Sequence, residues 1–348
     1  MTPGGSVAKA RRKRKKARRS SSKPRHLCGI EVRPGEARDV ELRVSELYTS
    51  RPVGIPVRII RGLEPGPTLF VTAAVHGDEI NGTEIIRELL YEVNLASLKG
   101  MLVCVPVVNI FGFLNHSRYL PDRRDLNRYF PGRRRGSLAA RLAWHVFKDI
   151  VMPCDMGIDL HTASACKVNL PHVRGSLVDP VVKRMAMAFG TDIVINSEAS
   201  RESLRGAARA AGVPVLTFEG GEPLRFESEV VERGLLGVLN VMAAFKMIDR
   251  PLWRPRVRIV ASETQWWRAD RGGILALHVG PGAVVHRGEE IATNTSPFGR
   301  ERSVLKAPFS GLVIGATTLP SVSPGDAVVH VVKLGRGLAR VERALAST

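Results

Sequence analysis

The sequence predicts an α/β protein with a doubly wound, mainly parallel sheet, followed by a C-terminal all-β domain. Two patterns along the chain support this prediction. Short apolar, β-branched runs alternate with helical patterns from residue 68 to residue 246, which is typical of a parallel sheet covered by helices on both faces. After residue 250 the helical periodicity ends, and β-like runs alternate with Gly and Pro turns, which is typical of an all-β domain.

The predicted elements follow one another in the order that this fold requires. Residues 39–62 contain β-like segments, and residues 68–75 form an apolar run that predicts a buried strand. The further predicted strands are 101–108, 156–160, 192–196 and 213–218, and the predicted helices are 83–94, 137–151, 179–190, 204–211 and 229–246. The chain is therefore predicted to have three parts: a disordered basic tail (1–26), an α/β domain (27–250) and a β-rich barrel or sandwich (251–348).

The predicted tail holds much of the positive charge of the chain. Residues 1–26 contain eleven Lys or Arg residues and no acidic residue, so removing them lowers the net charge from +19 to +8. Such a composition predicts disorder. The basic run over residues 9–25 could bind nucleic acid or another polyanion by counterion release, or it could be a solubilising extension. No aromatic residue lies within the run to stack on bases, which favours the second interpretation.

The bulk composition favours a cytoplasmic protein without a membrane span. No stretch reaches the roughly 18 apolar residues that a spanning helix needs. The basic N-terminal segment is not followed by the apolar segment of a secretory signal. The four cysteines are far apart and form no CxxC pair, which argues against a disulfide framework or a thiolate zinc site.

Three predicted strands end in polar residues that can bind a metal ion or move protons. His76 and Glu79 follow the strand at 68–75, and His161 follows the strand at 156–160. Open α/β sheets bind their ligands at the C-terminal ends of strands. Two imidazoles and one carboxylate are the ligand set of a hydrolytic zinc site that keeps one position open for water. His76, Glu79 and His161 are therefore the predicted ligands of one zinc ion.

Two further carboxylates have predicted roles beside this zinc site. A hydrolytic zinc site needs a base that takes a proton from the attacking water. Glu219, at the end of the strand 213–218, is the remaining carboxylate at a strand end, so it is the predicted base. Asp159 lies two residues before His161 and is predicted to orient that imidazole.

Residues 115–135 form a long loop that is rich in arginine. One interpretation is a solvated basic loop. The other is a clamp for a substrate carboxylate, because arginine binds carboxylates through two parallel hydrogen bonds. Asn127, beside Arg128, could supply further donors to such a clamp. A cationic residue in this loop could also stabilise the oxyanion of a tetrahedral intermediate.

Four short segments, taken together and in order, resemble the succinylglutamate desuccinylase/aspartoacylase family, which belongs to the wider zinc carboxypeptidase superfamily. They are His76-Gly77-Asp78-Glu79, Asp125-Leu126-Asn127-Arg128, Asp159-Leu160-His161-Thr162 and Phe218-Glu219-Gly220-Gly221. The resemblance runs from about residue 50 to the C-terminus. It implies a zinc carboxypeptidase-like fold with a C-terminal β domain that can shield the active site. By this resemblance the three predicted ligands match the zinc ligands of the family, and the predicted base matches its general base.

The resemblance also implies roles for several residues outside the metal site. Asn127 and Arg128 match the pair that grips the substrate carboxylate, and Arg118 matches the arginine that polarises the scissile carbonyl. Members of the family use a further arginine upstream of the base. Arg205 and Arg209 are both candidates for that position.

The expected function is that of a zinc-dependent amidohydrolase. It would cleave an N-acyl amino acid, or a similar small carboxylate-bearing amide, so its partner would be a small anionic molecule. A metallocarboxypeptidase acting on acidic or γ-glutamyl peptides is one alternative. A non-catalytic polyanion-binding protein on a hydrolase scaffold is another, although the presence of all three predicted ligands and the predicted base argues against it.

Overall fold

The structure is a computed structural model that describes residues 25–300, 302–335 and 337–345. The predicted basic tail lies outside the described residues, except for Arg25 and His26. These two residues belong to the first strand, so the prediction of a disordered tail is corrected for them.

The elements are numbered in chain order. The strands are β1 (Arg25–Leu27), β2 (Ile30–Val32), β3 (Ala37–Glu46), β4 (Pro52–Arg61), β5 (Glu64–Ala73), β6 (Lys99–Val105), β7 (Met156–His161), β8 (Lys167–Gly175), β9 (Ile193–Asn196), β10 (Val215–Gly221), β11 (Ile259–Ala261), β12 (Thr264–Arg268), β13 (Gly273–Leu277), β14 (Val284–Val285), β15 (Glu290–Thr295), β16 (Arg302–Lys306), β17 (Gly311–Thr317), β18 (Ser321–Val322) and β19 (Ala327–Lys333). The α-helices are α1 (Asn81–Glu92), α2 (Ile110–Leu114), α3 (Leu138–Val146), α4 (Pro180–Phe189), α5 (Leu204–Ala210), α6 (Ser228–Ala244) and α7 (Leu338–Leu345), with a 3-10 turn at Leu126–Arg128 and a π-helical turn at Phe147–Val151.

Among the described residues, the largest sheet has 13 strands and is mixed. Its main order is β12-β19-β17-β8-β10-β7-β5-β6-β4-β3, with β9 and β11 joined beside β8 and β14 joined beside β17. The four central strands β6, β5, β7 and β10 run parallel. The flanking strands β4 and β8 run antiparallel to their inner neighbours. The prediction of a mainly parallel sheet therefore holds for the centre and is corrected for the whole, because the chain adds antiparallel strands on both sides.

Helices cover both faces of the central strands. Helices α1, α4 and α6 pack on one face, where Ile85, Met185 and Val238 belong to one buried cluster. Helices α3 and α5 pack on the other face, where Leu142 and Leu204 belong to a second buried cluster. This arrangement confirms the α/β class that the alternating pattern predicted.

Polar caps start several of these helices. The side chain of Ser137 accepts a hydrogen bond from the backbone N–H of Ala140 at the start of α3. Ser203 accepts from Gly206 at the start of α5. Such caps satisfy backbone donors that have no partner inside the helix. They explain why these helices begin close to their predicted positions.

The chain after residue 250 is tied to the preceding part by strand pairing. Strand β17 pairs with β8, and β11 pairs with β9. Strands β13, β15, β16 and β18 form a separate antiparallel sheet. The predicted all-β character is corrected in one respect, because α7 lies in this part. The division into two domains at residue 250 stays a prediction.

Among the described helices, none combines the length and the apolarity that crossing a bilayer requires.

Candidate metal centre

The loop after β5 carries the first two predicted ligands. Ala74 has a φ of 50°, in the left-handed region that few side chains adopt, and it turns the chain out of the strand. Gly77 then packs so closely on α2 that an added Cβ would lie 2.0 Å from the backbone carbon of Gly112. His76 and Glu79 are buried on either side of this contact. Glycine is therefore required where the loop crosses α2.

The three predicted ligands come together in one buried group. The candidate ligand atoms of His76, Glu79 and His161 all lie within 4.8 Å of one another. The Nδ1 atom of His76 is 2.7 Å from Oε1 of Glu79, and the Nδ1 atom of His161 is 2.8 Å from Oε2 of Glu79. The structure thus brings residues from the ends of β5 and β7 to one point, as the sequence predicted.

A carboxylate holds the other nitrogen of each imidazole. The Nε2 atom of His161 is 2.8 Å from Oδ2 of Asp159, as predicted. The Nε2 atom of His76 is 3.1 Å from Oδ1 of Asp125. When Nε2–H donates to a carboxylate, the lone pair stays on Nδ1, where it is available to a metal ion.

Sequence reasoning assigned no role to Asp125. The sequence analysis interpreted the segment around Asp125 as an arginine clamp. The contact between Asp125 and His76 forms because the fold brings together two residues that are 49 positions apart in the sequence. No local signal could have suggested the role, because Asp159 lies two residues before the histidine that it holds, whereas Asp125 lies far along the chain from His76.

The residues present fit a divalent metal ion. The Nδ1 atoms of the two buried histidines each face an oxygen of Glu79, at 2.7 and 2.8 Å. When Asp125 and Asp159 accept the Nε2–H protons, both Nδ1 lone pairs face a carboxylate, an arrangement that a cation between them stabilises. Two imidazoles, one carboxylate and two supporting aspartates form the donor set of a zinc site with oriented histidines.

The electrostatics of the group agree with this fit. Burial lowers the pKa of His76, but Glu79 and Asp125 outweigh burial and the net pKa is raised. Burial raises the pKa of Glu79, but the two imidazoles outweigh it and hold that pKa below its usual range. The site therefore concentrates negative charge that attracts a cation.

Arg118 lies beside the candidate metal ligands. Its Nη1 atom donates to Oε1 of Glu79 at 2.9 Å, and its Nη2 atom donates to Oδ2 of Asp125 at 3.0 Å. Burial lowers the pKa of Arg118, but Glu79 and Asp125 outweigh it, so the guanidinium stays charged. The structure thus places this predicted residue at the metal ligands and next to the cavity described below.

Glu219, the predicted base, lies on β10 beside the candidate metal ligands. It pairs across the sheet with His161 on β7. Its Oε2 atom accepts a hydrogen bond from Nδ2 of Asn169 at 3.2 Å, and its Oε1 atom is 3.8 Å from Nη1 of Arg174. Burial raises the pKa of Glu219, while His161 and Arg174 oppose that rise without cancelling it. A carboxylate with a raised pKa is suited to exchange protons near neutral pH.

Asn127 and Arg128 form a 3-10 turn at the edge of the site. The Oδ1 atom of Asn127 accepts from the backbone N–H of Leu204 at 2.8 Å, so this turn is fixed to the start of α5. The Nη1 atom of Arg128 donates to the carbonyl of Asn127 at 2.9 Å. Arg128 is exposed, and its guanidinium has free donors for a ligand.

The structure distinguishes the two candidate arginines upstream of the base. Arg205 lines the cavity and donates to the carbonyl of Ser197 at 3.0 Å. Burial and the nearby Arg174 lower its pKa to about 10. Arg209 is half exposed and forms an ion pair with Glu198. Of the two arginines, Arg205 is the one that lines this cavity.

A cavity of about 350 Å³ opens over these residues. Cations dominate its wall away from the metal ligands. They are Arg128, Lys167, Arg174 and Arg205. Two residues from the C-terminal part, Trp266 and His330, also line the cavity, and their rings stack with centroids 4.8 Å apart.

Sequence reasoning missed the aromatic and histidine residues of the cavity wall. Trp266 and His330 come from β12 and β19, which the sequence placed in a separate domain. His172 lies on β8, which the sequence did not predict. Burial lowers the pKa of His172 to about 3 and that of His330 to about 4, so both imidazoles are neutral near pH 7.

Comparison with known proteins identifies the family. The sequence model described as the succinylglutamate desuccinylase/aspartoacylase catalytic domain matches residues 65–245, which is more than half of the 348 residues. The chain belongs to this family. The match covers all the strands and loops that carry the ligands and the predicted base, so the resemblance carried by four short segments is confirmed.

Three known proteins are similar to this chain over most of its length. The N-alpha-acetyl-L-2,4-diaminobutyric acid deacetylase of Halomonas elongata is 25% identical over 303 residues, which are 82% of this chain and 87% of the relative. The succinylglutamate desuccinylase/aspartoacylase structure from Rhodobacter sphaeroides is 25% identical with a TM-score of 0.77, covering 85% of this chain and 95% of that one. The product-bound ectoine utilization protein EutE (DoeB) from Ruegeria pomeroyi is 22% identical with a TM-score of 0.80, covering 89% and 98%.

Proposed function

We propose that this protein is a zinc-dependent hydrolase that removes the acyl group from an N-acyl amino acid or a similar small carboxylate-bearing amide. The observation that carries the proposal is the buried group of His76, Glu79 and His161, whose Nδ1 and carboxylate atoms converge beside the predicted base. The deacetylase from Halomonas elongata, which is similar over most of this chain, supports an amide-cleaving reaction.

The candidate metal site would supply a Lewis acid to this reaction. A zinc ion held by His76, Glu79 and His161 would polarise the acyl carbonyl and acidify the attacking water. Asp125 and Asp159 keep both imidazoles turned toward the ion by accepting their Nε2–H protons.

Glu219 moves the proton in this proposal. Its carboxylate takes a proton from the attacking water as the water oxygen bonds to the acyl carbon. Collapse of the tetrahedral intermediate then breaks the C–N bond, and Glu219 delivers the proton to the leaving amine. The pKa of Glu219 is raised by burial, which brings it closer to the pH at which both transfers must occur.

Arginines bind the charged parts of the substrate. Arg118 is already placed by Glu79 and Asp125, and it would donate to the oxyanion that forms on the acyl carbonyl. Arg128 and the amide of Asn127 would grip the substrate carboxylate at the edge of the cavity. Arg205 adds a further donor from the cavity wall. These contacts favour small anionic substrates.

A cytoplasmic location and a wider relation to zinc carboxypeptidases are part of this proposal and stay predictions. The cations of the cavity wall also suit an acidic peptide, so substrate profiling must include that class.

The test is turnover of a substrate panel by the wild type and by Glu219→Gln. The panel contains N-acetyl and N-succinyl amino acids, short acidic peptides and γ-glutamyl peptides. We expect hydrolysis of one or more N-acyl amino acids, and a loss of kcat on the order of 10²–10⁴-fold in Glu219→Gln without loss of metal. Cleavage of peptides alone would replace the deacylase proposal with a peptidase. Wild-type turnover by Glu219→Gln would overturn the assignment of the base.

A further inference from the structure

Strand β8 is the element that brings new residues to the candidate base. It runs antiparallel to β10, and His172 lies opposite Glu219 in the register. The register shifts between Glu219 and Gly221, so that Asn169 lies opposite Gly221. This irregularity places the side chain of Asn169 next to the carboxylate of Glu219.

The two oxygens of Glu219 have different surroundings. Oε2 accepts the Nδ2–H of Asn169 at 3.2 Å. Oε1 makes no hydrogen bond with any described residue, and Nη1 of Arg174 lies 3.8 Å from it. Both residues come from β8 and both line the cavity. Within the part of the chain that the structure describes, one carboxylate oxygen thus accepts a hydrogen bond and the other accepts none.

A glycine on β17 leaves the room that the side chain of Asn169 occupies. Gly315 on β17 pairs with Asn169 on β8. A Cβ added at Gly315 would lie 2.8 Å from Oδ1 of Asn169 and 3.1 Å from the carbonyl oxygen of Val168. Any side chain at this position would therefore displace Asn169 or its strand.

We propose that Asn169 is a positioning residue for Glu219, and that the absence of a side chain at Gly315 leaves the space that Asn169 needs for this role. The amide of Asn169 occupies Oε2, which fixes the plane of the carboxylate and leaves Oε1 as the oxygen that accepts the proton of the attacking water. This inference rests on the proposed function, since it assumes that Glu219 is the base. It assigns a role in the site to β8 and β17, which lie outside the four segments that carry the resemblance.

The physical reason is the geometry of proton transfer. An amide N–H donor on Oε2 competes with a proton there, so protonated Glu219 carries its proton on Oε1. A base must lie within hydrogen-bond reach of the proton that it takes, and a misplacement of about 1 Å can cost on the order of 100-fold in rate. Removal of the Asn169 donor should therefore lower kcat by roughly 10- to 100-fold and leave KM unchanged.

The kinetic test compares four variants in the full chain loaded with zinc. Asn169→Ala removes the donor, Asn169→Asp keeps the shape but cannot donate, and Asn169→Gln keeps the amide on a longer side chain. We expect both Asn169→Ala and Asn169→Asp to lose kcat, and Asn169→Gln to recover part of it. Asn94→Ala is the matched control, because that exposed asparagine caps a turn after α1 and lies outside the cavity lining.

A second pair of variants tests the same contact by changing a residue on β17 that packs against Asn169. Gly315→Ala should lower kcat in the same way, whereas Gly280→Ala should not, since an added Cβ at Gly280 meets no atom within 4 Å. Wild-type kcat in Asn169→Ala, or a change in KM alone, would overturn the proposal. Loss of zinc in Asn169→Ala would also overturn it, because Asn169 would then support the metal site and not the base.

Crystal structures of zinc-loaded wild type and Asn169→Ala separate this inference from the proposed function. We expect the Glu219 carboxylate to keep one orientation in the wild type and to turn or split in Asn169→Ala, whether or not any panel substrate is cleaved. An identical orientation in both structures would overturn the inference. Absence of hydrolysis by the wild type would instead overturn the proposed function. The two crystal structures would then still show whether Asn169 orients the Glu219 carboxylate.

Discussion

At the scale of single residues, each imidazole of the candidate site lies between two carboxylates. Glu79 faces Nδ1 of both histidines, while Asp125 and Asp159 hold the two Nε2 atoms. Each ring is therefore held in one orientation before any ion binds. The metal affinity of the site should depend on the outer aspartates as well as on the ligands.

The first prediction concerns these outer aspartates. Asp159→Asn and Asp125→Asn should each weaken zinc binding by roughly 10- to 100-fold, since an asparagine cannot hold the Nε2–H as a carboxylate does. Competition titration with a chelating dye measures the effect. Asp122→Asn is the control, because Asp122 is exposed and pairs with Arg124. Equal zinc affinity in all three variants would show that the aspartates do not orient the ligands.

The second prediction concerns the pH dependence of turnover. The base must be unprotonated in the free enzyme, and burial raises the pKa of Glu219. As pH falls through this raised pKa, Glu219 takes up a proton and kcat/KM declines. The acid limb should therefore lie above the usual glutamate pKa of about 4.3. A pH profile of kcat/KM measures it, and a midpoint at or below the usual value would mean that a different group limits the rate.

At the scale of secondary-structure elements, hydrophobic periodicity in the sequence predicted the helices and the buried strands. The helices and the buried parallel strands were predicted to within a few residues, because their apolar positions repeat at helical spacing or form continuous runs. Strand β8 was missed because it is only partly buried along most of its length and contains Pro171. Proline is unusual inside a sheet, and Pro171 lies where the partner of β8 changes from β17 to β9.

The reach of local sequence patterns also explains which site residues were predicted. His76, Glu79, His161 and Glu219 follow strands that local patterns reveal, so their convergence could be predicted from topology. The contact of Asp125 with His76 and the aromatic wall of the cavity depend on long-range packing, which no local pattern encodes.

The third prediction concerns the crossing of the ligand loop and α2. Gly77→Ala should destabilise the fold by roughly 1–3 kcal/mol, because the added Cβ has no room against Gly112, and it should weaken zinc binding by moving His76 and Glu79. Thermal unfolding and zinc titration measure the two effects. Gly280→Ala, where an added Cβ meets nothing, should change neither. An unchanged Gly77→Ala protein would show that the loop can shift away without cost.

At the scale of the whole molecule, the strands after residue 250 complete the cavity and the sheet. Trp266 and His330 line the cavity, and β17 and β11 pair with β8 and β9. The change after residue 250 from helical patterns to β-like runs, which predicted a separate domain, is present in the sequence. The pairing nevertheless joins the two parts, because β8 and β9 present edges that need partners.

The fourth prediction follows from this pairing. A chain that ends at residue 250 should be aggregation-prone or protease-sensitive and should not turn over substrate, because the edges of β8 and β9 lose their partners and the cavity loses one wall. Limited proteolysis and size-exclusion chromatography, compared with the full chain, measure this. A soluble, protease-resistant and active fragment would establish that residues 27–250 form an independent domain.

The central claim is that a metal ion held by His76, Glu79 and His161 drives the cleavage of an N-acyl amino acid. The most direct test measures zinc content and N-acyl amino acid hydrolysis together, in the wild type, in the chelated and reloaded wild type, and in His161→Ala. We predict one zinc per wild-type chain, loss of turnover on chelation, its return on reloading, and neither zinc nor turnover in His161→Ala. Full hydrolysis by metal-free wild type or by His161→Ala would contradict the account.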